Sequence, residues 1–582
     1  MESRVAGAAL FDRKHIRLGN LRLIVALVFV GLAWAWLSAA LFSSLWLLLP
    51  IALFAALVVK HERVVRAQNR VRRSIAFYER GLSRLEDRWA GQGESGERFR
   101  DSAHPYAEDL DLFGKGSIFE LISTARTRVG EERLATWLLA PAGKDVVCAR
   151  HEAILDLRDR LDLREDLAIL GEDVRTGVHP EALMRWAEAP PALVSGGARI
   201  AAAALTLLAL LCIAAWQYTG QLSILFGMLA LVGAFGMAHR KRVLRVVAGV
   251  EEAAHDLALL SEVLARFEKE SFRCSLLAEQ RARLETSGKP PSARIARLHR
   301  LVELIDSRDH VVLRAIGPPL LYTTHLAFAV EAWRAAHGGQ VRSWLEAVAE
   351  MEALCSLSGY AWERPSDPFP EFSDTGPLIE GEVLCHPLLP GDRCVPNDVS
   401  LGAGARILVI SGSNMSGKST YLRTVGVNTV LAMAGAPVRA RRLRLSPLAV
   451  GASIRVIDSL QGGTSRFYAE IKRLRNLLEI AEGPLPLLFL LDELLHGTNS
   501  HDRRIGAEGV VRSLERRHAI GLVTTHDLAL ADVAEALAPT AANVHFEDRI
   551  EDGHMTFDYR MRPGVVRKSN ALELMRSIGL DV

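Results

Sequence analysis

Two stretches of this chain carry no charged residue: positions 23–59, thirty-seven in a row, and positions 200–238, thirty-nine. One helix crossing a bilayer needs about 20 apolar residues, so each stretch has the length of two short spans. Polar residues mark the expected reversal points, Ser38–Ser44 in the first and Gln217–Gln221 in the second. Basic residues flank both ends of each. Arg13, Lys14, Arg17 and Arg22 precede the first and Lys60, Arg63 and Arg66 follow it; Arg199 precedes the second and Arg240, Lys241 and Arg242 follow it. Positive residues stay on the cytoplasmic side, so the symmetry predicts two hairpins with both ends cytoplasmic, in a multi-pass protein of the cell (inner) membrane. A secretory signal has a shorter apolar region. Buried core helices rarely run so far without a charge. The mean hydropathy of +0.14, high for a chain with 24% charged residues, is concentrated in these stretches.

Outside them the chain reads as several units. Its 582 residues exceed one core. The formal net charge of +2 gives no argument for nucleic acid. Six scattered cysteines without a CxxC pair fit a reducing compartment and supply no zinc site. Residues 61–89 predict an Arg-rich helix and Gly91–Gly96 a linker. Helical spacing then runs through 105–190, as in Ile118, Leu121, Ile122 and Leu134, Trp137, Leu138. Long amphipathic patterns follow over 241–284 and 293–314, parted by Ser287–Pro291, and helices resume around 320–358. From about 380, β-rich runs (Ile407–Ile410, Leu487–Leu491, Gly521–Thr524) alternate with helical ones, which predicts an α/β sheet.

The first of those runs leads into Ser411-Gly-Ser-Asn-Met-Ser-Gly-Lys-Ser-Thr420. Gly412-xxxx-Gly417-Lys418-Ser419 is a complete phosphate-binding loop, and a helix pattern follows from Tyr421 to Ala434. Glycines let backbone N–H groups close around phosphates, and the helix N-terminus adds favourable partial charge. The expected ligand is ATP, held by Gly412, Ser413, Asn414, Met415, Ser416, Gly417, Lys418, Ser419 and Thr420. Lys418 reaches the β/γ-phosphates and Ser419 ligates Mg²⁺. The run Leu487–Leu491 ends in Asp492-Glu493, a strand closing on paired carboxylates. Asp492 is expected to hold Mg²⁺ through water and Glu493 to orient or deprotonate the attacking water. His526, after the run Gly521–Thr524, suits a γ-phosphate sensor at the carboxyl edge of a sheet. The expected activity is therefore ATP hydrolysis.

These segments together resemble the MutS family of DNA mismatch repair ATPases. The loop is similar to that family's GPNMGGKST, with Ser413 for Pro and Ser416 for Gly. Gly435–Ala440 resembles its G-x-x-V-P-A segment, Ser459–Glu470 its signature loop, and Asp492-Glu493 with Gly497–Asp502 its D-E-x-x-x-G-T-S-x-x-D stretch. Asn397 also has a counterpart near the nucleotide, whereas Cys394 stands where many relatives stack an aromatic ring on adenine. Leu112–Leu138 resembles the start of the family's helical core or lever domain. The resemblance implies an ABC-type ATPase that works as a dimer, with Ser465 acting on ATP bound to the partner protomer. It implies Glu493, His526, Lys418 and Ser465 as catalytic, and DNA, duplex or branched, as a partner.

The expected architecture is multidomain. A cytoplasmic segment (1–22) leads to transmembrane hairpin 1 (23–59), then to a cytoplasmic helix and linker (60–104). A helical core (105–199) is interrupted by transmembrane hairpin 2 (200–238) and continues as core and lever (239–378). The α/β ABC-type P-loop domain occupies 379–582. No room is left for the family's mismatch-reading and connector domains, and the chain is expected to lack the helical extension after the ATPase. Basic runs at Arg281–Arg300 and Arg439–Arg444 read as solvated faces before they read as DNA contacts. Two other readings stay open: an ABC-type ATPase coupled to membrane helices for transport, and an ATP-gated membrane tether for a protein partner. Against transport, the two apolar stretches hold no ionisable residue to mark a pathway, and Gln461–Ser465 is not the transporters' L-S-G-G-Q.

Overall fold

The computed structural model describes residues 1–39, 43–177, 179–193, 196–285, 288–455, 466–495, 499–526, 528–551 and 554–566. The two charge-free stretches form helical hairpins. α1 (Glu2–Ala39) runs back along α2 (Leu48–Leu85), and α8 (Gly196–Thr219) along α9 (Leu222–Glu268). The second reversal lies at Gly220-Gln221, where it was expected, and Gly220 takes a positive φ of 67°. Among the described residues three helices, α1, α8 and α9, are by length and composition apolar enough to cross a membrane. α2 is not among them, a difference from the four spans expected. Its apolar portion runs from Leu48 to Val59, about 18 Å of helix. Outward side chains on the hairpins are bare of protein: Leu37 is 75% exposed and Met237 72%.

Between the hairpins lie α3 (Ile118–Ile122), α4 (Arg128–Leu139), α5 (Lys144–Arg158), α6 (Leu161–Gly177) and α7 (Pro180–Glu188). Ser117 and Thr127 cap α3 and α4, their hydroxyls accepting the amides of Glu120 and Gly130. After α9 come α10 (Ser275–Leu284), α11 (Pro291–Asp306), α12 (Val311–Ile316), α13 (Tyr322–His337) and α14 (Val341–Glu363). α14 is buried on nearly every side from Met351 to Ala361 and packs on α4 and α5. The segment Gly91–Gly96 is no free linker. The amides of Gly91 and Gly93 donate to Glu120 Oε1 at 2.6 and 3.0 Å, and Glu120 is buried.

The chain then changes class. β1 (Glu371–Phe372) precedes the boundary expected at 379 and joins β2 (Ile379–Leu384), β3 (Asn397–Leu401) and β5 (Arg442–Leu445) in a mixed sheet ordered β1-β5-β2-β3. A second sheet contains β4 (Ile407–Ser411), β6 (Ala449–Ser453), β7 (Leu487–Leu491), β8 (Ile520–Thr525), β9 (Ala541–Glu551) and β10 (His554–Pro563). Its order is β10-β9-β4-β8-β7-β6, parallel throughout except for β10. α15 (Lys418–Ala434) covers one face; α16 (Arg466–Ile480), α17 (Ser500–Arg516) and α18 (Leu528–Ala536) cover the other. With both faces covered, β4, β7 and β8 are buried along their whole length and apolar until the polar ends of β4 (Ser411) and β8 (Thr524-Thr525). One continuous buried cluster extends from the inner sheet face through α15 into the helical region, joining Leu490 and Val425 to Leu110 and Leu134.

The basic runs are largely committed. Arg441, Arg442 and Arg444 pair with Glu382, Glu371 and Glu380 across the mixed sheet. Arg294 is buried against Gln340.

Candidate functional site

Parallel strands place their carboxyl ends together, and in this sheet the three polar turns after β4, β7 and β8 meet at one edge. The turn after β4 is Gly412–Gly417. Gly412 and Gly417 adopt φ of 150° and 101°, and a Cβ at Gly412 would lie 2.9 Å from the Phe546 carbonyl oxygen. Glycine is required there because the loop is wrapped against β9. Met415, at φ 68°, points outward and is 82% exposed.

Lys418 opens α15 with its side chain curled back into this loop. Its Nζ donates to the carbonyls of Gly412 at 2.9 Å and Ser413 at 2.8 Å and lies 3.5 Å from His526 Nε2. Burial lowers its pKa from the ordinary lysine range, while Glu493 and Asp492 pull the other way. The buried cation is electrostatically suited to phosphate oxygens, and the two carboxylates to a divalent cation that would accompany them. The hydroxyls of Ser413 and Ser416 are buried and make no hydrogen bond, so the cradle has polar capacity to spare. These features fit a bound triphosphate.

Thr524, at the end of β8, organises the carboxylate pair. Its hydroxyl donates to Asp492 Oδ1 and accepts the Glu493 amide at 3.0 Å. Glu493 sits at φ 50°, an unusual conformation for a non-glycine residue. That backbone turn carries its carboxylate to His526 Nε2, with which it is in direct contact. Lys418, Asp492, Glu493 and His526, from three separate segments, are thereby brought together. Behind them, buried Glu470 of α16 accepts the Leu495 amide at 2.6 Å, and Asn499 caps α17 by accepting the Asp502 amide at 2.9 Å.

A cavity of about 610 Å³ opens from the loop, lined by Asn414, Lys418, Ser419, Thr420 and Glu493 at one end and by Cys394, Asn397 and Tyr559 at the other. Asn397 borders it with its amide already engaged. Nδ2 donates to the Tyr559 carbonyl at 2.9 Å and Oδ1 accepts the Met561 amide at 2.7 Å, so Asn397 fixes β10. The consequence is the position of the Tyr559 ring, whose Cδ1 lies 3.1 Å from where a Gly417 Cβ would stand. Sequence reasoning missed both Tyr559 and Thr524. Tyr559 lies 142 positions after Gly417 with no motif around it, and only the antiparallel return of β10 brings it back. Thr524 was legible as a strand end but not as a partner of Asp492. Ser465 and the expected signature loop from Ser459 to Ser465 lie outside the described residues, as do Gly497 and Thr498, while Arg466–Glu470, the end of that segment, open α16.

The family described as MutS domain V matches residues 408–581. The DNA mismatch repair protein MutS of Natronomonas pharaonis is 35% identical over 254 residues, 41% of this chain and 28% of that protein. DNA mismatch repair protein MutS 2 of Halobacterium salinarum is 35% identical over 244 residues, 40% of this chain and 27% of that protein. The chain thus covers less than a third of the length of these relatives.

Proposed function

We propose that this chain, a member of the MutS family through its C-terminal domain V, is a membrane-anchored ATPase that works as a dimer and acts on DNA. The observation that carries the ATPase reading is the meeting of Lys418, Asp492, Glu493 and His526 at the carboxyl edge of one parallel sheet, beside a loop of phosphate-cradling geometry.

In this reading the Gly412–Thr420 amides and the Lys418 ammonium bind the β- and γ-phosphates of ATP, with Lys418 exchanging loop carbonyls for phosphate oxygens. Ser419 and Asp492 hold Mg²⁺, which when bound offsets charge on the phosphate oxygens. Glu493 orients a water in line with the γ-phosphorus and accepts its proton. His526, in contact with Glu493 and near Lys418, senses the γ-phosphate. Tyr559 offers its ring to the base, in place of the aromatic that Cys394 replaces. Ser465 of the partner subunit completes the site.

The hairpins anchor the chain. The stretch from Ile200 to Thr219 gives about 30 Å of helix, one hydrocarbon thickness. The continuous core between α15 and the helical region then supplies a route by which nucleotide-driven closure moves the helices that carry the hairpins.

Purified full-length protein in detergent tests this reading directly. Lys418→Ala abolishes ATP turnover, and Ser465→Ala reduces it while leaving nucleotide binding intact. Normal turnover in Ser465→Ala would sink the composite site. Binding to duplex and branched DNA, titrated against salt with and without ATP, tests the nucleic-acid role. No salt-dependent binding in either state removes DNA from the reading and leaves the ATPase standing.

A further inference from the structure

The two ends of the apolar stretch 200–238 converge on one cavity of about 720 Å³. Its lining includes Ala198 of α8, two residues before the stretch, and His239 of α9, the residue immediately after it. If Ile200–Thr219 crosses the hydrocarbon, this cavity lies at the depth of the cytoplasmic headgroups. Trp186 of α7, Pro190, Leu193 and Phe328 of α13 form an apolar wall, and Arg242 and Arg245 enter from α9.

The charge inside is one-sided. Glu331, the carboxylate of the lining, is spent: it pairs with Arg334 at 2.8 Å and accepts the Ala192 amide at 3.1 Å. Arg334 is spent too, donating to the carbonyls of Trp186 at 3.3 Å and Pro190 at 3.2 Å. Arg242 and Arg245, by contrast, have no hydrogen bond or ion pair among the described residues. They stand three positions apart, about one helical turn, on the face of α9 that lines the cavity. Two unpaired guanidiniums beside an apolar, tryptophan-bearing wall at the membrane surface match a group that is anionic at one end and greasy at the other.

We propose that this cavity binds the phosphate headgroup of an anionic phospholipid of the cytoplasmic leaflet. Arg242 and Arg245 take the phosphate oxygens, while Trp186 and Phe328 pack against the glycerol and upper acyl chain. The proposal rests on the reading of 200–238 as a membrane hairpin. It would tie the position of α7, α9 and α13, and hence of the helical region they belong to, to the lipid at the anchor.

The test uses the full chain reconstituted into vesicles of phosphatidylcholine with a minority of phosphatidylglycerol. Flotation under alkaline conditions reports insertion, independent of the cavity. Native mass spectrometry after mild detergent extraction then measures which lipid is retained. Wild type is expected to retain phosphatidylglycerol preferentially. Arg242→Gln with Arg245→Gln should lower that retention about tenfold while flotation and ATP turnover stay unchanged. Arg240→Gln with Lys241→Gln removes the same charge beside the cavity and should leave retention as in wild type. Inorganic phosphate in millimolar excess should not displace the lipid. Undiminished retention in the Arg242/Arg245 variant, an equal loss in the Arg240/Lys241 variant, or displacement by inorganic phosphate would each overturn the proposal. A protein that floats without lipid preference refutes the cavity assignment alone; one that does not float refutes the membrane hairpin as well.

Discussion

The carboxylate of Asp109 accepts the backbone amide of Arg455 at 2.6 Å, joining two residues 346 positions apart. Asp109 belongs to the helical region; Arg455 leads directly from β6 into the segment that resembles the family's signature loop. The same carboxylate accepts the Ile454 amide at 2.8 Å and pairs with Arg473 of α16. Burial pushes the carboxyl pKa up, and Arg473 and the two amides oppose that push. One side chain thus fixes both the entrance to the loop and the helix that follows it.

Removing this carboxylate takes the acceptor from two amides and the charged partner from Arg473, which keeps the carbonyls of Ala452 and Ser102. Asp109→Ala is expected to destabilise the protein by about 3 kcal/mol, because breaking a partly buried pair strands its partner. ATP turnover should fall with it, since the loop entrance loses its anchor. Thermal unfolding and steady-state ATPase assays, run with Asp109→Asn as the milder variant, check both effects. An Ala variant with wild-type stability and turnover would show that the contact is incidental.

Glu493 and Lys418 should separate chemistry from binding. Glu493→Gln keeps the shape and the contact with His526 but cannot accept a proton, so turnover should drop about 100-fold or more with ATP affinity retained. Lys418→Ala should lose affinity as well. Single-turnover hydrolysis and equilibrium nucleotide binding distinguish the two patterns; equal loss of affinity in both would argue against the role given to Glu493.

Gly426 of α15 sits where the sheet meets the helical region. A Cβ there would approach Leu490 Cδ1 to 2.5 Å and Leu110 Cδ2 to 2.7 Å. Alanine gains about 1 kcal/mol of helix propensity, which offsets much of that crowding. Valine adds bulk without that gain, so Gly426→Val is expected to lose about 1–3 kcal/mol while Gly426→Ala stays near neutral. Denaturant midpoints of the two variants measure the difference.

Asp367, in the connection between α14 and β1, carries a pH signal. Burial raises its pKa from 3.8 to about 6 against the pull of Arg364 and Arg439, and Oδ2 is buried without a hydrogen bond. The folded state therefore binds this proton more tightly than the unfolded chain. The stabilising contribution is complete below pH 3.8 and is lost as pH rises through 6. Asp367→Asn should raise stability at pH 8 by about 1–2 kcal/mol, discounted for partial exposure, and the gain should vanish toward pH 4. Thermal midpoints of both proteins across that range provide the check.

Much of this molecule was decided locally and could be read from the sequence. The charge-free runs read as helices, because a single segment in a bilayer satisfies its own backbone hydrogen bonds in that form. The strands β4, β7 and β8 announced themselves as short apolar runs, and Gly412–Ser419, Asp492 and Glu493 follow them at fixed offsets. What the sequence left open was every relationship that depends on distant segments returning. It did not indicate that Tyr559 comes back over Gly417, that Thr524 serves both Asp492 and Glu493, or that Glu120 holds the glycines of an apparent linker. Nor did it indicate that α2 would begin only at Leu48, leaving twelve residues of it before Lys60. Asp109 is the clearest case. In the sequence it is one acidic residue among many, and only the docking of the helical region on the sheet brings two amides and a guanidinium around its buried carboxylate.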